Sequence, residues 1–463
     1  MSTELHWLTL TEVAAKIAAR EVTSSEVTRA MLERVAALDP ALHAYVAVLA
    51  ERALAQASVA DREIVAGRYR GPLHGVPIAV KDLCDLVGTP TTAGTTILRD
   101  RIATSTATVV ERLEAAGAII LGKLMLTEGA MANHHPAVAA PVNPWSAQRW
   151  PGVSSSGSGV ATAAGLCFGS LGSDTGGSIR FPSAACGIVG IKPTWGRVSR
   201  AGVFPLAASL DHIGPMTRSV ADAAAMLGVI AGGDPRDPTA LHAPVPDYAA
   251  AVGRGARGLR IGVDERYAAD GMDAEVAGLV MATIEVLRQL GAEIVAVTVP
   301  PTEGLIAQWN ATCAAEAAVG HKGLYPERAA EYGPALAAFL EAGRKLPATA
   351  YAAAHEARLG FSGELRAVFE DIDLLLTPTL GVPTPSLTLP SAPAAAAAVM
   401  RFTAPFDYSG SPTISVPCGF TADGMPASLQ LVGRHLEEET LIAAGAAYEG
   451  ATSWRQRRPP LAS

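Results

Sequence analysis

Serines and glycines are concentrated between residues 150 and 200, where their spacing could support nucleophilic chemistry. The segment contains first WPGVSSSGSG and then GSDTGGSIR, in which Ser178 directly follows two glycines. Glycine adopts backbone angles that other residues avoid, so the successive N–H groups near Ser178 can converge on one point. Converging N–H groups bind an oxyanion. Taken alone, this composition is more typical of an ordinary Gly/Ser-rich loop. A catalytic interpretation also requires a base that could activate Ser178.

A lysine is a candidate for that base, because no His/Asp set can be recognised in the chain. Val76–Val80 is an apolar run typical of a strand, and Lys81 follows at its carboxyl end, where open α/β sheets bind their ligands. A lysine is a base only when neutral, and an ordinary pKa of about 10.4 leaves about one in a thousand neutral at pH 7. Burial would lower that pKa by several units. Position alone does not distinguish a base from a surface lysine.

Other chemical motifs fail when their residues are checked. Gly117–Lys123 loosely matches a phosphate loop, but Leu124 occupies the position of the magnesium-binding Ser or Thr. The chain contains neither a GxSxG elbow nor an HExxH metal motif. For the adjacent pair His134–His135 we favour a structural or pocket-lining role over metal binding. We expect no metal and no cofactor.

The elements that must position these residues alternate between short apolar strands and helical stretches from about residue 70 onward. Alternation of this kind predicts an α/β fold with a large, mixed, mostly buried sheet covered by helices. The predicted helices include 108–116 and 273–290, and the predicted strands are 76–80, 118–121, 259–263, 293–299, 373–376, 413–416 and 428–432.

We predict one domain spanning residues 1–463, although the length alone would allow about three. Residues 1–65 read as a helical N-terminal layer, in which Thr9–Glu12 and Thr23–Glu26 fit the capping box. Residues 70–220 form the predicted catalytic core. A helical insertion on the substrate side is predicted at 302–370, and 383–398 reads as a Pro/Ala-rich connection.

The composition excludes several classes of protein. Hydrophobic residues make up 49% and charged residues 17%, which argues against disorder. The net charge of −8 argues against nucleic-acid binding, and the basic tail Arg455, Arg457 and Arg458 is interpreted as a solvated terminus. The chain has no run of about 18 apolar residues, so the sequence predicts no membrane-spanning helix. Five scattered cysteines without CxxC pairs indicate reduced thiols, so we expect a cytoplasmic protein.

Three motifs, GVPIAVKD, PGVSSSGSG and GSDTGGSIR, occur in this order, and together they closely resemble the amidase signature family. The resemblance is dense over 71–220 and resumes more loosely near 402–420 and 424–434. It implies a Ser–cis-Ser–Lys triad, in which Lys81 is the base. Within the same pattern Ser154 is the bridging serine and Ser178 the nucleophile.

The resemblance also implies an oxyanion hole made by the backbone N–H groups of four consecutive residues, Thr175, Gly176, Gly177 and Ser178. Family members often have Gly before the bridging serine, whereas this chain has Val153, and we still expect a cis Val153–Ser154 bond. Ser155 is a candidate for supporting the network.

Asp174 and Arg180 flank the nucleophile loop. We favour a local structural pair, with Arg180 in the substrate pocket as the alternative. Specificity is expected in three segments, 126–136, the region around Trp309, and 402–408. Four apolar side chains of these segments would suit a hydrophobic or aromatic amide, although each is more typical of core than of pocket: Met131, Trp309, Phe402 and Phe406. Met131 is a candidate for support or substrate binding.

The leading hypothesis for the activity is hydrolysis of small linear amides, aryl or acyl, through an acyl-enzyme. The first alternative is hydrolysis of carbamates (urethanes) or esters, whose carbonyls the same serine can attack. The second is a glutaminase subunit of a tRNA-dependent amidotransferase, which requires partner subunits. A binding protein without catalysis is disfavoured by the presence of all three triad residues. A homodimer remains open.

Overall fold

Eleven strands form one continuous sheet in the computed structural model, which describes residues 5–387 and 399–461. The spatial order of the strands is β1-β3-β2-β4-β6-β5-β10-β11-β9-β7-β8. Their bounds are β1 Tyr45–Val48, β2 Pro77–Lys81, β3 Ile119–Leu124, β4 Gly169–Asp174, β5 Val189–Lys192, β6 His212–Thr217, β7 Arg260–Val263, β8 Glu293–Ala296, β9 Leu374–Pro378, β10 Thr413–Phe420 and β11 Pro426–Gly433.

Fifteen α-helices accompany the sheet in the described residues. Their bounds are α1 Leu10–Ala18, α2 Ser24–Leu42, α3 Ala50–Val65, α4 Thr108–Ala115, α5 Ser156–Ala163, α6 Arg180–Cys186, α7 Val220–Ile230, α8 Tyr248–Ala251, α9 Glu265–Ala269, α10 Ala274–Gln289, α11 Leu305–Gly320, α12 Pro334–Lys345, α13 Ala348–Asp371, α14 Ala404–Tyr408 and α15 Glu438–Ala451. Among these helices, none is both long and apolar enough to cross a membrane.

The sheet is mixed, as the sequence predicts. Strand β2 runs parallel to both β3 and β4, and β7 runs parallel to both β8 and β9. The remaining pairings are antiparallel. Every residue of β2, β3 and β4 is buried, so the part of the sheet that carries Lys81 lies in the core. The predicted α/β fold is therefore confirmed.

The predicted strands are present, with ends that move by up to four residues. The 76–80 prediction corresponds to β2, and Lys81 is its last residue rather than the residue after it. Both predicted capping boxes are formed, because Thr9 and Thr23 each exchange hydrogen bonds with the glutamate three residues later.

Four strands were not predicted: β1, β4, β5 and β6. The N-terminal layer is not wholly helical, because β1 lies within it and pairs antiparallel with β3 at the sheet edge. Strand β4 has the sequence GSLGSD, which lacks the β-branched and aromatic residues typical of strands. Its position is determined by pairing with β2 and β6 rather than by local preference.

The 302–370 segment contains three α-helices, α11, α12 and most of α13, with a short 3-10 helix at Ala329–Glu331 between the first two. The Pro/Ala-rich connection predicted at 383–398 lies largely outside the described residues. The candidate catalytic residues lie at the end of the parallel pair β2–β4 and next to two helices that pack together, α5 and α6. Helix α5 begins two residues after Ser154, and α6 begins two residues after Ser178.

Candidate active site

Three hydroxyl groups surround the amine of Lys81 at the end of β2. Lys81 Nζ lies 2.7 Å from Ser154 Oγ, 2.9 Å from Ser155 Oγ and 2.7 Å from Ser173 Oγ. Lysine and serines are all buried, Lys81 completely. The amine therefore has hydrogen-bond partners but, among the described residues, no contact with a carboxylate, and such a setting tolerates a neutral lysine.

Burial lowers the pKa of Lys81 to about 7. Coulombic interactions with Asp174, Cys84 and Asp211 act in the opposite direction and raise this pKa. Desolvation disfavours the charged form of a buried lysine, which explains the net lowering. With a pKa near 7, about half of the Lys81 amines are neutral at pH 7. Lys81 can therefore accept a proton under ordinary conditions.

The residue after Lys81 is also a buried charge, but it is paired elsewhere. Asp82 Oδ1 lies 2.7 Å from Lys123 Nζ, and both side chains are fully buried. Lys123 is the lysine of the loose phosphate-loop match, and it lies in β3, so that match has no phosphate-loop geometry. Because Lys123 neutralises Asp82, the carboxylate next to the base does not hold Lys81 in its charged form.

The serine cluster is tied to the neighbouring strand and loop through Ser155. The Val153–Ser154 peptide bond is cis, as expected from the sequence. Ser155 Oγ donates to the carbonyl of Ser173 at 3.1 Å and accepts from the Ser173 N–H at 3.2 Å. Ser155 N–H also donates to the carbonyl of Ser178 at 3.3 Å. Ser155 thus links the Lys81 cluster to the nucleophile loop, which fits its expected supporting role.

Asp174 organises the loop that carries Ser178. Its carboxylate accepts hydrogen bonds from Gly177 N–H at 2.6 Å and from Ile179 N–H at 3.0 Å. Burial alone would raise the pKa of Asp174, but the guanidinium of Arg180 holds it well below the ordinary value. The loop is therefore built around a permanently charged carboxylate.

Arg180 is fully buried between Asp174, at 2.9 Å, and Asp407, at 2.5 Å. It also donates to Gln430 Oε1 at 2.9 Å. Neither Asp174 nor Arg180 lines the cavity at Ser178. The structure supports the favoured interpretation of a local structural pair, and the alternative with Arg180 in the substrate pocket is wrong.

Two carbonyl groups of the nucleophile loop accept hydrogen bonds from side chains outside the loop. Trp309 Nε1 donates to Thr175 O at 2.7 Å, and Thr403 Oγ1 donates to Gly176 O at 2.7 Å. In a trans peptide the C=O and the following N–H point in opposite directions. Fixing Thr175 O therefore also fixes the direction of the Gly176 N–H.

The oxyanion hole expected from the sequence needs one correction. Gly177 N–H donates to Asp174 and is not available to a substrate. Within residues 5–387 and 399–461, the N–H groups of Thr175, Gly176 and Ser178 have no protein acceptor. These three remain as the candidate oxyanion donors.

Of the two hydrogen bonds expected within the triad, the described residues form one. Lys81 contacts Ser154, but among the described residues no hydrogen bond joins the hydroxyls of Ser154 and Ser178. Ser178 is half-buried, and it lines a cavity of about 580 Å³. The nucleophile candidate thus faces open space, while its backbone is bonded to Ser155.

The cavity is walled mainly by apolar side chains. Met131 and Trp309 line it, and Trp309 is at the same time buried in the hydrophobic core, against which Met131 packs. Phe402 and Phe406 do not line it and are buried in the core as predicted. The complete lining is Ala130, Met131, Ala132, Val153, Thr175, Gly176, Ser178, Phe181, Leu206, Ile306, Ala307, Trp309, Asn310 and Met400.

Sequence reasoning missed Ser173 as a partner of Lys81. Strand β4 pairs with β2 through Ala79–Ser170 and Val80–Leu171, which brings Ser173 to the same end of the sheet as Lys81. The available signal was a serine just before the GGS motif.

His134 contacts Ser156 Oγ at 3.0 Å and does not line the cavity. No group of three or more His, Cys, Asp or Glu in the described residues could hold a metal ion.

Comparison with known proteins identifies the family. A family model described as Amidase matches residues 26–442. A protein of Mycobacterium tuberculosis that bears the name amidase AmiD is 50% identical over 458 residues, covering 98% of this chain and 96% of that protein. An amidase of Pseudomonas putida is 43% identical over 462 residues, covering 98% of each chain.

The solved structure of a bacterial aryl acylamidase, an amidase signature enzyme, superimposes with a TM-score of 0.90 at 27% identity. It covers 98% of both chains. The chain therefore belongs to the amidase signature family. Its activity class is that of an amidase, a hydrolase acting on amide C–N bonds.

Proposed function

We propose that the protein hydrolyses small, largely apolar amides, aryl or acyl, through an acyl-enzyme on Ser178. The observation that carries the proposal is the buried hydrogen-bonded pair Lys81–Ser154 beside an apolar cavity onto which Ser178 opens. Family membership supports the reaction class, and the geometry supports the roles of the residues and the substrate type.

The first step is attack of Ser178 Oγ on the substrate carbonyl carbon. Neutral Lys81 accepts the proton of Ser154, and Ser154 accepts the proton of Ser178. The Lys81–Ser154 link is present at 2.7 Å. The second link requires Ser178 Oγ to approach Ser154 Oγ, and catalytic hydrogen bonds commonly tighten when substrate binds.

The negative charge that develops on the carbonyl oxygen is stabilised by backbone N–H groups. Thr175, Gly176 and Ser178 provide the candidates, and Asp174 holds the loop in shape without occupying them. Removing one oxyanion donor typically costs about a hundredfold in rate.

Collapse of the tetrahedral intermediate breaks the C–N bond. Ser154 returns a proton to the departing nitrogen, since an amine leaves poorly unless it is protonated. Water then attacks the acyl-enzyme, and the same relay operates in reverse, releasing the acid and restoring Ser178.

The cavity wall favours apolar substrates. Among the described residues, none that lines it carries a charged side chain, and its polar side chains are Thr175, Ser178 and Asn310. Trp309 and Phe181 offer aromatic surface to a flat or hydrophobic substrate. The likeness of this chain to an aryl acylamidase of known structure supports the same substrate type.

A glutaminase role is the main competing proposal, because one of the relatives belongs to a glutamyl-tRNA(Gln) amidotransferase. This protein of Chloroflexus aggregans is 40% identical over 490 residues, covering 99% of each chain. Free glutamine carries an ammonium and a carboxylate, whose desolvation is costly without charged partners. The uncharged wall therefore argues against glutamine as the substrate.

A hydrolysis panel of purified protein tests the substrate. We expect the highest kcat/KM for anilides and apolar amides, lower values for carbamates and esters, and no turnover of glutamine. Glutamine turnover, or activity that appears only with copurified subunits, would instead support the amidotransferase. Preference for a carbamate or an ester would support that alternative.

Covalent labelling tests the roles of the residues. A fluorophosphonate probe should modify Ser178, and Ser178→Ala should abolish modification. Lys81→Ala should remove amide turnover and reduce ester turnover less, because an alkoxide leaves without prior protonation. Labelling that survives Ser178→Ala, or equal losses for both substrate types, would contradict the mechanism.

We further propose a cytoplasmic location, one domain over residues 1–463, and a homodimer. The five buried free cysteines support a reducing compartment. The continuous eleven-stranded sheet supports one domain. Fractionation, limited proteolysis and sedimentation test these three proposals in turn.

A further inference from the structure

A pocket of about 260 Å³ lies between the two ends of the described chain. We call it the terminal pocket. Its walls come mainly from the N-terminal segment, from the end of α6 and from the C-terminal tail, with single residues from other segments: Trp7, Leu8, Thr9, Glu12, Trp145, Ala163, Cys186, Gly187, Ile188, Arg218, Arg455, Gln456, Arg457, Arg458 and Pro459. Four arginines and one carboxylate line it, although the protein carries a net charge of −8. Positive charge is thus concentrated in one concave place.

Two of the tail arginines are held by aromatic rings. The Arg458 guanidinium lies 5.0 Å from the centre of the Trp7 ring, and the Arg457 guanidinium lies 4.3 Å from that of Phe420. In residues 5–387 and 399–461, the side chains of Arg455, Arg457 and Arg458 form no hydrogen bond and no ion pair. A stacked guanidinium keeps its N–H edge free to bind an anion in a bidentate way.

Arg218, the fourth arginine of the pocket, and Arg34, which does not line it, both donate to backbone carbonyl groups. Arg218 donates to four backbone carbonyls, those of His6, Leu8, Thr162 and Cys167. Arg34 donates to the carbonyl of Ala164 and also lies over the Trp7 ring, at 5.1 Å. Glu12, the carboxylate of the pocket, accepts from the Thr9 N–H within the capping box.

The surroundings of His6 are also positively charged. Burial lowers the pKa of His6 to about 4, and the positive charges of Arg34, Arg218 and Arg458 act in the same direction. The imidazole is therefore neutral at physiological pH. The fixed guanidinium charges remain, and they repel one another unless an anion is present.

We infer that the terminal pocket binds a phosphate group, either free or carried by a small organic phosphate. A volume of about 260 Å³ is many times the roughly 10–15 Å³ that one water needs, which leaves room for a phosphate with an attached small group. The guanidinium groups of Arg457 and Arg458 are exposed and have no hydrogen-bond acceptor in the described residues, so both can pair with phosphate oxygens. The Trp145 ring adds apolar surface for a substituent. Its position at the chain ends is separate from the cavity at Ser178, with which it shares no lining residue.

Calorimetric titration of the full chain with inorganic phosphate and with AMP tests the inference. We expect both probes to bind, and the double variant Arg457→Gln/Arg458→Gln to weaken binding at least about tenfold. Arg68→Gln, which changes an exposed arginine with no side-chain partner in the described part of the chain, is the matched control and should leave binding unchanged. Tighter binding of AMP would identify an organic phosphate as the ligand, whereas equal binding would identify the phosphate group alone.

A second variant separates charge from geometry. Arg457→Lys/Arg458→Lys keeps the charge but loses the planar fork, so its affinity should fall between those of the wild type and the glutamine variant. Thermal unfolding without ligand checks that the tail is intact in each variant. Absence of binding by both probes up to about 10 mM, or unchanged binding by the glutamine variant, would overturn the inference.

Discussion

The pH dependence of amide hydrolysis follows directly from the burial of Lys81. Only the neutral amine can accept a proton, and burial places its pKa at about 7. The neutral fraction is then about one in eleven at pH 6 and ten in eleven at pH 8. We expect kcat/KM for an anilide to rise about tenfold between these values at constant ionic strength, and then to level off.

A matched pair of variants identifies the titrating group. Lys192 is a second fully buried lysine whose pKa burial lowers to about 7, but its Nζ contacts carbonyl groups, those of Ser411 and Pro193. Lys192→Met should therefore keep the inflection near pH 7. Ser173→Ala removes a hydroxyl that favours the charged form of Lys81, so it should move the inflection about one unit lower.

Two results would refute this reasoning. A profile that is flat or falls between pH 6 and 8 would show that a neutral lysine does not limit the reaction. An inflection that disappears in Lys192→Met and is unmoved in Ser173→Ala would show that the titrating lysine is Lys192 and not Lys81.

Three further predictions concern residues that hold the site. Asp174→Ala should lower the free energy of unfolding by about 3–5 kcal/mol, measured by urea denaturation, because it leaves a buried guanidinium without one partner. Trp309→Phe removes the hydrogen bond to Thr175 O and should lower kcat about tenfold with an anilide while KM changes less; unchanged kcat would contradict the role given to this bond. Lys123→Met should destabilise the protein by about 3–5 kcal/mol in the same unfolding assay, because Asp82 is left as an unpaired buried charge, and Lys123→Met/Asp82→Asn should recover much of that loss.

The fold could be predicted where the sequence has apolar runs of the right length. Strands such as β2 and β9 are continuous apolar segments ending in recognisable turns, and the predicted ends of both agree with the structure to within two residues. Strands β4 and β6 were not predicted because their residues follow no local pattern typical of a strand, whereas β1 (YVAV) and β5 (VGIK) have apolar residues but are only four residues long. The sequence HIGPMT of β6 contains both Gly and Pro, and only pairing with β4 and β5 makes it a strand.

The candidate site, like the fold, could be predicted only in part. The motifs supplied Lys81, Ser154 and Ser178, because their residue types are arranged in a specific order. Occupation of the Gly177 N–H by Asp174 could not be read from the sequence, since it depends on loop geometry. The contact of Ser173 with Lys81 depends on which strands are neighbours, and β4 was not predicted.

Two parts of the cavity wall differ in how much change they tolerate. One part is the nucleophile loop and the segment around Val153, where added bulk is not tolerated: a Cβ at Gly152 would lie 2.2 Å from the Pro182 backbone. Another part is the first turns of α11, where Ile306, Ala307 and Asn310 are partly or fully exposed. New substrate preferences can therefore be engineered, or can arise by natural variation, on α11 while the reactive machinery stays intact. Trp309 is the exception, because it bonds to the nucleophile loop and any change there alters selectivity and turnover together.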